Sequence, residues 1–387
     1  MRVRIRGSGV DGTSPLKHVL VFLTALALLV ALVSWLRYGG GEPYPDLSGP
    51  ALIDASRIEQ VVSYREPIGN IAVNRDGRLF FTVHPESRPV GNKLLEYVNG
   101  AAVPYPNSES QQELFDTVLG VVIDAENRLW TIDHGNHGLR PARLLGIDLE
   151  TGDVFRNHPL TDDIAPKGSF LQDLQVSRDG RTLVIADASF WRKTPAIIVY
   201  DIESGAARRV LESHESVSAE NYVITSEGRS MTFLGGILSL RGGIDGIAMT
   251  DEWLYYGALN GSGLYRIRLK DLRDTNLPLV QLAARVERVS KKPLSDGMSA
   301  DTDGNIYLTA VEHNALFRVD TNGKLATLVI DPRLRWPDAL SFGPDNWLYI
   351  ADSALSEVVF RPKEHIEAQS PYGIYRLRLD TGGIPGQ

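Results

Sequence analysis

Four aspartates recur at the opening of apolar runs: Asp173 in LQDLQV, Asp245 in IDGIAM, Asp296 in SDGMSA and Asp338 in PDALSF. Asn70 (IGNIAV) and Gly120 (LGVVI) stand at the matching points of two further runs. A second set, His84, Asp133, Asp187 and Asp352, closes the apolar run that follows each turn. In an antiparallel hairpin the opening and closing residues lie at the same end, so the acids gather on one side and the turns on the other. Two carboxylates about 6 Å apart at an effective dielectric of ~20 repel by roughly 3 kcal/mol, about two pKa units. Such a ring is relieved by a hard cation such as Ca²⁺, by protons held on some of the acids and ready for transfer, or by Arg and backbone N–H groups. Asp173, Asp245, Asp296 and Asp338 are therefore the catalytic candidates, with Asp173 and Asp245 the candidate metal ligands. Asn70, His84, Asp133, His134, Asp187, Trp336 and Asp352 are the candidate ligand-binding residues. The plainer alternative for any single Asp is that it caps its own turn or binds nearby backbone N–H groups.

The elements that must position these residues repeat six times, over residues 69–85, 119–135, 170–189, 244–260, 295–311 and 336–353. Each is an apolar strand, a short polar turn such as Asp76-Gly77 or Asp303-Gly304, and a second apolar strand; further strands follow with Gly-containing turns. Such an array predicts an all-β, six-bladed β-propeller of four-stranded blades, preceded by an N-terminal transmembrane or signal helix. Nearly continuous apolar runs (LGVVI, TLVIA, AIIVY) suit strands buried on both faces between blades. Ile58–Tyr64 precedes the first full repeat and is expected to pair with the last blade and close the ring. The polar stretch from His214 to Leu240 reads as an excursion overhanging a binding face.

The 387 residues carry a formal charge of −8, which argues against a nucleic-acid partner, and no cysteine, which excludes disulfides, thiolate metal sites and a catalytic thiol. Arg2, Arg4, Arg6, Lys17 and His18 precede an uncharged run over residues 19–36, about 27 Å long as a helix. Residues 1–18 read as a basic cytoplasmic segment, 19–36 as the membrane or signal segment, 37–56 as linker and 57–387 as propeller. An uncleaved anchor is the preferred reading and cleavage near Gly39 or Gly41 the alternative; both place the propeller outside the cytoplasm. Phosphate-cradling, HExxH and GxSxG motifs are missing. Asp301-Thr302-Asp303-Gly304-Asn305 departs from a calcium loop and reads as a hairpin turn, while His134 and His137 read as a rim loop rather than a zinc site. Trp130, Trp191, Trp336 and Tyr256 are candidate faces for a cationic ligand, with blade-core packing the alternative for Trp130 and Tyr256.

LWTIDHG, PARLLGIDLETGDV and APKGSFLQDLQV, followed by IDGIAM, LYYGAL, SDGMSA and WPDALSF, resemble in their order the major royal jelly protein and Yellow family in its bacterial branch. The resemblance covers most of residues 70–352 and implies a six-bladed, usually exported propeller. It also implies functions ranging from dopachrome conversion to storage and to amine binding in the channel. A more distant similarity is to gluconolactonase-type propellers, whose metal is held by Glu, two Asn and Asp. Asp245 and Asp173 stand at positions comparable to an Asp and an Asn there, so that Asp replaces Asn, and the opening Glu is absent, Ile68-Gly69-Asn70 standing in its place. The expected function is an exported propeller that binds, and in a second reading isomerises, a small polar or aromatic ligand at an acidic channel mouth. A Ca²⁺-dependent lactonase and a partner-binding scaffold are the alternatives; the sequence names no protein partner.

Overall fold

A computed structural model describes residues 15–387; the basic run of Arg2, Arg4 and Arg6 lies outside them. The chain divides into two units, one of residues 1–41 with 232–239, the other of residues 42–231 with 240–387. In the first, Pro15–Tyr38 is one α-helix whose apolar side chains, Leu20, Phe22 and Leu29 among them, stand exposed all round. It is long and apolar enough to cross a membrane, as either an anchor or a signal segment would be.

The second unit is a propeller of six four-stranded sheets. Blades 1 to 5 begin with innermost strands at Ile68–Val73, Val118–Ile123, Leu171–Val176, Ile244–Met249 and Met298–Ala300. Blade 6 takes three strands from the end of the chain, Pro337–Phe342, Trp347–Asp352 and Tyr372–Arg378, and its fourth from Ile58–Tyr64. The early strand thus closes the ring as its position before the first repeat predicted, pairing Ile58 with Leu377 and Tyr64 with Tyr372. The apolar runs meet between blades: Ile132, Leu174, Ile185 and Tyr200 pack in one such layer, Val184, Ile247, Tyr256 and Ile267 in the next. That is why the strands are apolar on both faces instead of alternating.

The innermost strands do not run straight. In blades 1, 2, 3, 4 and 6 the ladder slips between the first and fourth residues of the strand, so that Ile68, Val118, Leu171, Ile244 and Pro337 pair normally and a bulge follows. Asn70, Gly120 and Asp173 stand two residues after the paired position; Asp245 and Asp338 stand one residue after it. The six residues aligned from the sequence are therefore one step out of register between the first and second halves of the ring. The bulge makes the slip harmless, because two of its residues oppose one partner residue and strict alternation is suspended there. Gln172 and Asp173, neighbours in sequence, consequently face the same cavity.

The Gly after Asp in Asp245-Gly246 and Asp296-Gly297 has a packing cause. A Cβ on Gly246 would lie 2.2 Å from the carbonyl oxygen of Asp296, and one on Gly297 2.2 Å from that of Asp338. Each inner strand leans on the backbone of the next, and only glycine admits that approach.

Candidate functional site

The bulges bring Asn70, Asp173, Asp245, Asp296 and Asp338 together around a cavity of about 10 Å³ on the axis, bounded also by Leu119, Gln172 and Gly297. That is room for about one water. Asp245, Asp296 and Asp338 are buried, and Asp173 is partly buried. Burial pushes Asp173 up to about 7 against the pull of three donors: Leu174 N at 2.9 Å, Ile247 N at 3.4 Å and Asn70 Nδ2 at 3.5 Å. Burial likewise holds Asp296 at about 7, opposed by the Trp336 indole N–H, which donates to its Oδ2 at 2.7 Å, and by Lys292. Asp245 and Asp338 go well above the usual carboxylate range, through burial first and the charges of the other acids second. Lys292 is wholly buried beside them; burial brings its ammonium down to about 7, and its Nζ donates to the Pro293 carbonyl at 3.1 Å. Near neutral pH the ring therefore relieves its repulsion by keeping protons.

The same atoms bear on the calcium reading. Asn70 Oδ1 accepts from Ile71 N at 2.8 Å, both carboxyl oxygens of Asp173 accept backbone N–H groups, and Asp296 Oδ2 holds the Trp336 indole. Among the described residues no three His, Asp or Glu side chains form a set able to hold a metal ion. Several oxygens of the ring already accept a hydrogen bond, whereas Asp338 Oδ2 has no hydrogen-bond partner among the described residues, so the ring offers Ca²⁺, which takes six to eight oxygens, only part of a coordination shell.

Gln172 and Asp296 also form the floor of a cleft of about 190 Å³. Phe170, Phe190, Trp191, Leu259, Leu355 and Phe360 give it apolar walls; His84, Glu86 and His137 are its polar side. Burial brings His84 down to about 4, so the ring is neutral; its Nδ1 accepts from Glu86 N at 3.1 Å and its Nε2 lies 3.6 Å from Asp338 Oδ2. Packing around Glu86 would raise its carboxyl, but the hydrogen bond with His137 Nε2 at 2.7 Å and the nearby imidazoles reverse this and leave it at about 2. The His137 ring lies 4.2 Å from that of Phe170.

Three sequence candidates belong elsewhere. Asp133, Asp187 and Asp352 are the ladder partners of Val118, Leu171 and Pro337, the residues before each bulge, and they bind the segment that enters the blade. Asp133 accepts from Asp116 N and Thr117 N at 2.6 and 2.9 Å, Asp187 from Phe170 N and Arg209, both at 2.8 Å. Asp352 accepts from Arg335 N at 3.0 Å and from the Arg335 guanidinium at 2.6 Å. None of the three lines the cavity or the cleft, so they are loop clamps, as the plainer alternative for a lone Asp allowed.

His134 is buried behind the wall, its Nδ1 accepting from His137 N at 3.0 Å, and burial brings it down to about 3. Trp336 is at the site as a hydrogen-bond donor, fully buried, and offers no face to a ligand. Trp130 and Tyr256 pack in blade cores; Trp191 lines the cleft. Asp301 accepts from Asp303 N and Asn305 N, which makes that loop a hairpin turn.

The sequence reading missed Glu86, Gln172 and Lys292 and left His137 on a rim loop. Gln172 adjoins a flagged Asp and Glu86 follows His84 by two residues, so the bulge and the capping turn were signals available in principle. Lys292, in the polar run Ser-Lys-Lys-Pro, gives none.

A family model described as major royal jelly protein matches residues 116–352. A search of curated protein sequences gives no match. Among solved structures, a gluconolactonase from Xanthomonas campestris is similar at 16% identity and a TM-score of 0.53, over 88% of this chain and 98% of that one. A calcium-binding protein, regucalcin, from Agrobacterium tumefaciens is similar at 16% identity and 0.56, over 87% and 97%. A luciferin-regenerating enzyme is similar at 10% identity and 0.56, over 85% and 97%. At these identities the likeness speaks for the fold alone.

Proposed function

Because this chain belongs to the major royal jelly protein family, we propose that it binds a small aromatic ligand in the cleft and shifts a proton on that ligand through the acids beneath. The observation that carries this reading is the position of Asp296: it closes the bottom of an aromatic cleft with a carboxyl held at about 7. A general acid–base group works best with a pKa near the operating pH. Asp296, whose ionised form the Trp336 N–H stabilises, takes a proton from one atom of the ligand and returns it to a second atom. Such a tautomerisation is balanced within the ligand and consumes nothing else. Protonated Asp245 and Asp338 border the same cavity and refill Asp296 if its proton is lost to solvent. A cationic amine fits the same place, since a positive charge at the floor draws Asp296 into its ionised form. The metal-assisted lactonase reading has less support, because among the described residues no three His, Asp or Glu side chains form a set able to hold a metal ion. A bare scaffold has no use for three buried carboxyls beside a fourth that is partly buried, each of which costs desolvation energy.

The test uses the full-length chain purified in detergent and a panel of aromatic amines and catechol-derived quinones. Binding is read from quenching of Trp191 fluorescence and proton transfer from deuterium uptake by the ligand in D₂O. Asp296→Asn is expected to bind and not exchange. A panel that neither binds nor exchanges with the unaltered chain ends the reading.

A further inference from the structure

The two ends of the propeller differ in chemistry. At the cleft-bearing end the loops joining second to third strands carry Val90, 88% exposed, Leu139, 71%, and Phe360, 56%. At the other end the tips of the first hairpins are charged, Asp76, Glu126, Asp251, Asp303 and Asp345, and the most exposed apolar side chains there are Leu279 and Val280 of one loop. Between the Val90 and Leu139 loops lies a depression of about 280 Å³ lined by Arg88, Lys93 and the Arg140–Asp116 ion pair, and the excess positive charge of Arg88 and Lys93 suits an anionic headgroup. The chain itself ties this end to the apolar helix. Glu42 and Pro43 pair in parallel with Tyr222 and Val223, in the loop joining blades 3 and 4 at the cleft-bearing end. Only residues 39–41 separate Glu42 from Tyr38, where the helix stops, a reach of no more than about 14 Å fully extended. Trp35, Arg37 and Tyr38 give that helix end the side chains that favour a bilayer interface.

We infer that the cleft-bearing end of the propeller docks on the surface of the bilayer that holds the helix. The cleft then receives its ligand from the interface, which makes the ligand an amphiphile: an aromatic body for the walls and a polar head for the acids. The docking stands on the tether and the surface; the ligand class rests also on the binding reading proposed above.

The absence of cysteine makes the test clean. Val90→Cys, Leu139→Cys and, as a control on the opposite end, Val280→Cys, 82% exposed, are each labelled with an environment-sensitive dye in the full-length chain. The labelled proteins are reconstituted into vesicles containing anionic lipid, with and without brominated acyl chains. Labels at 90 and 139 are expected to shift to the blue and lose more than about half of their emission to the brominated lipid, as interfacial groups do; the label at 280 keeps its emission. Labels at 90 and 139 that stay as watery as that at 280 overturn the docking, as does recovery of a chain cut after residue 38. If the labels at 90 and 139 are quenched and no aromatic probe binds, docking stands and the ligand reading falls. If a probe binds while those labels remain in water, the reverse holds.

Discussion

Replacing Asp296 by Asn tests the acid cluster through stability, independently of any ligand. The carboxyl is held at about 7 against the ordinary 3.8 of an aspartate, burial being the main cause. An acid whose pKa is raised by folding contributes most below its unfolded value, and that contribution is lost as pH rises through the folded value. For a rise of this size the loss is about 2 kcal/mol at pH 5 and about 4 kcal/mol at pH 8. Asn cannot ionise, and its side-chain carbonyl still accepts the Trp336 indole. The variant's advantage over the unaltered chain should therefore widen by about 3 kcal/mol between pH 5 and pH 8, part of it offset by the loss of Lys292's partner charge. With ~2 cal/mol/K per residue of unfolding entropy, this is a Tm difference growing by about 4 °C. Paired melts by circular dichroism across that range read it. A gap that is constant with pH, or an Asn variant less stable at pH 8, would show that Asp296 is ionised at low pH and that the cluster is not a proton store.

Three further outcomes follow from the same geometry. Asp187→Ala removes one of the two carboxylates on the buried Arg209 guanidinium, which keeps Glu212, and releases Phe170 N, so denaturant unfolding should show a loss of about 1–3 kcal/mol. Gly297→Ala puts a Cβ against the Asp338 carbonyl oxygen and forces neighbouring blades apart; a loss of roughly 1–3 kcal/mol is expected by the same measurement. Millimolar Ca²⁺ or a chelator should leave the Tm within about 1 °C; a rise equivalent to about 3 kcal/mol, as from a ligand at a hundred times its Kd, would restore the calcium reading.

The sequence by itself determined the architecture. Six hairpins with charged turns and doubly buried strands leave little besides a six-bladed ring, and the strand-like run Ile58–Tyr64 ahead of the first repeat announced its closure. It also marked Asp173, Asp245, Asp296 and Asp338 as residues that would meet, because residues opening like strands of a closed ring share one mouth. What the sequence could not decide was direction. A side chain's aim in a strand turns over with each residue, and the bulges reset that aim: they let Asp245 and Asp173 meet from positions one step apart, while Asp133, Asp187 and Asp352 went to backbone clamps. The cleft above the acids is more distant still from the sequence. Glu86, His137, Phe170, Leu259 and Phe360 come from five different blades and share no motif. Lys292 reaches the acids only because the chain folds a polar segment against them, and packing of that kind is settled by the whole ring rather than by local residues.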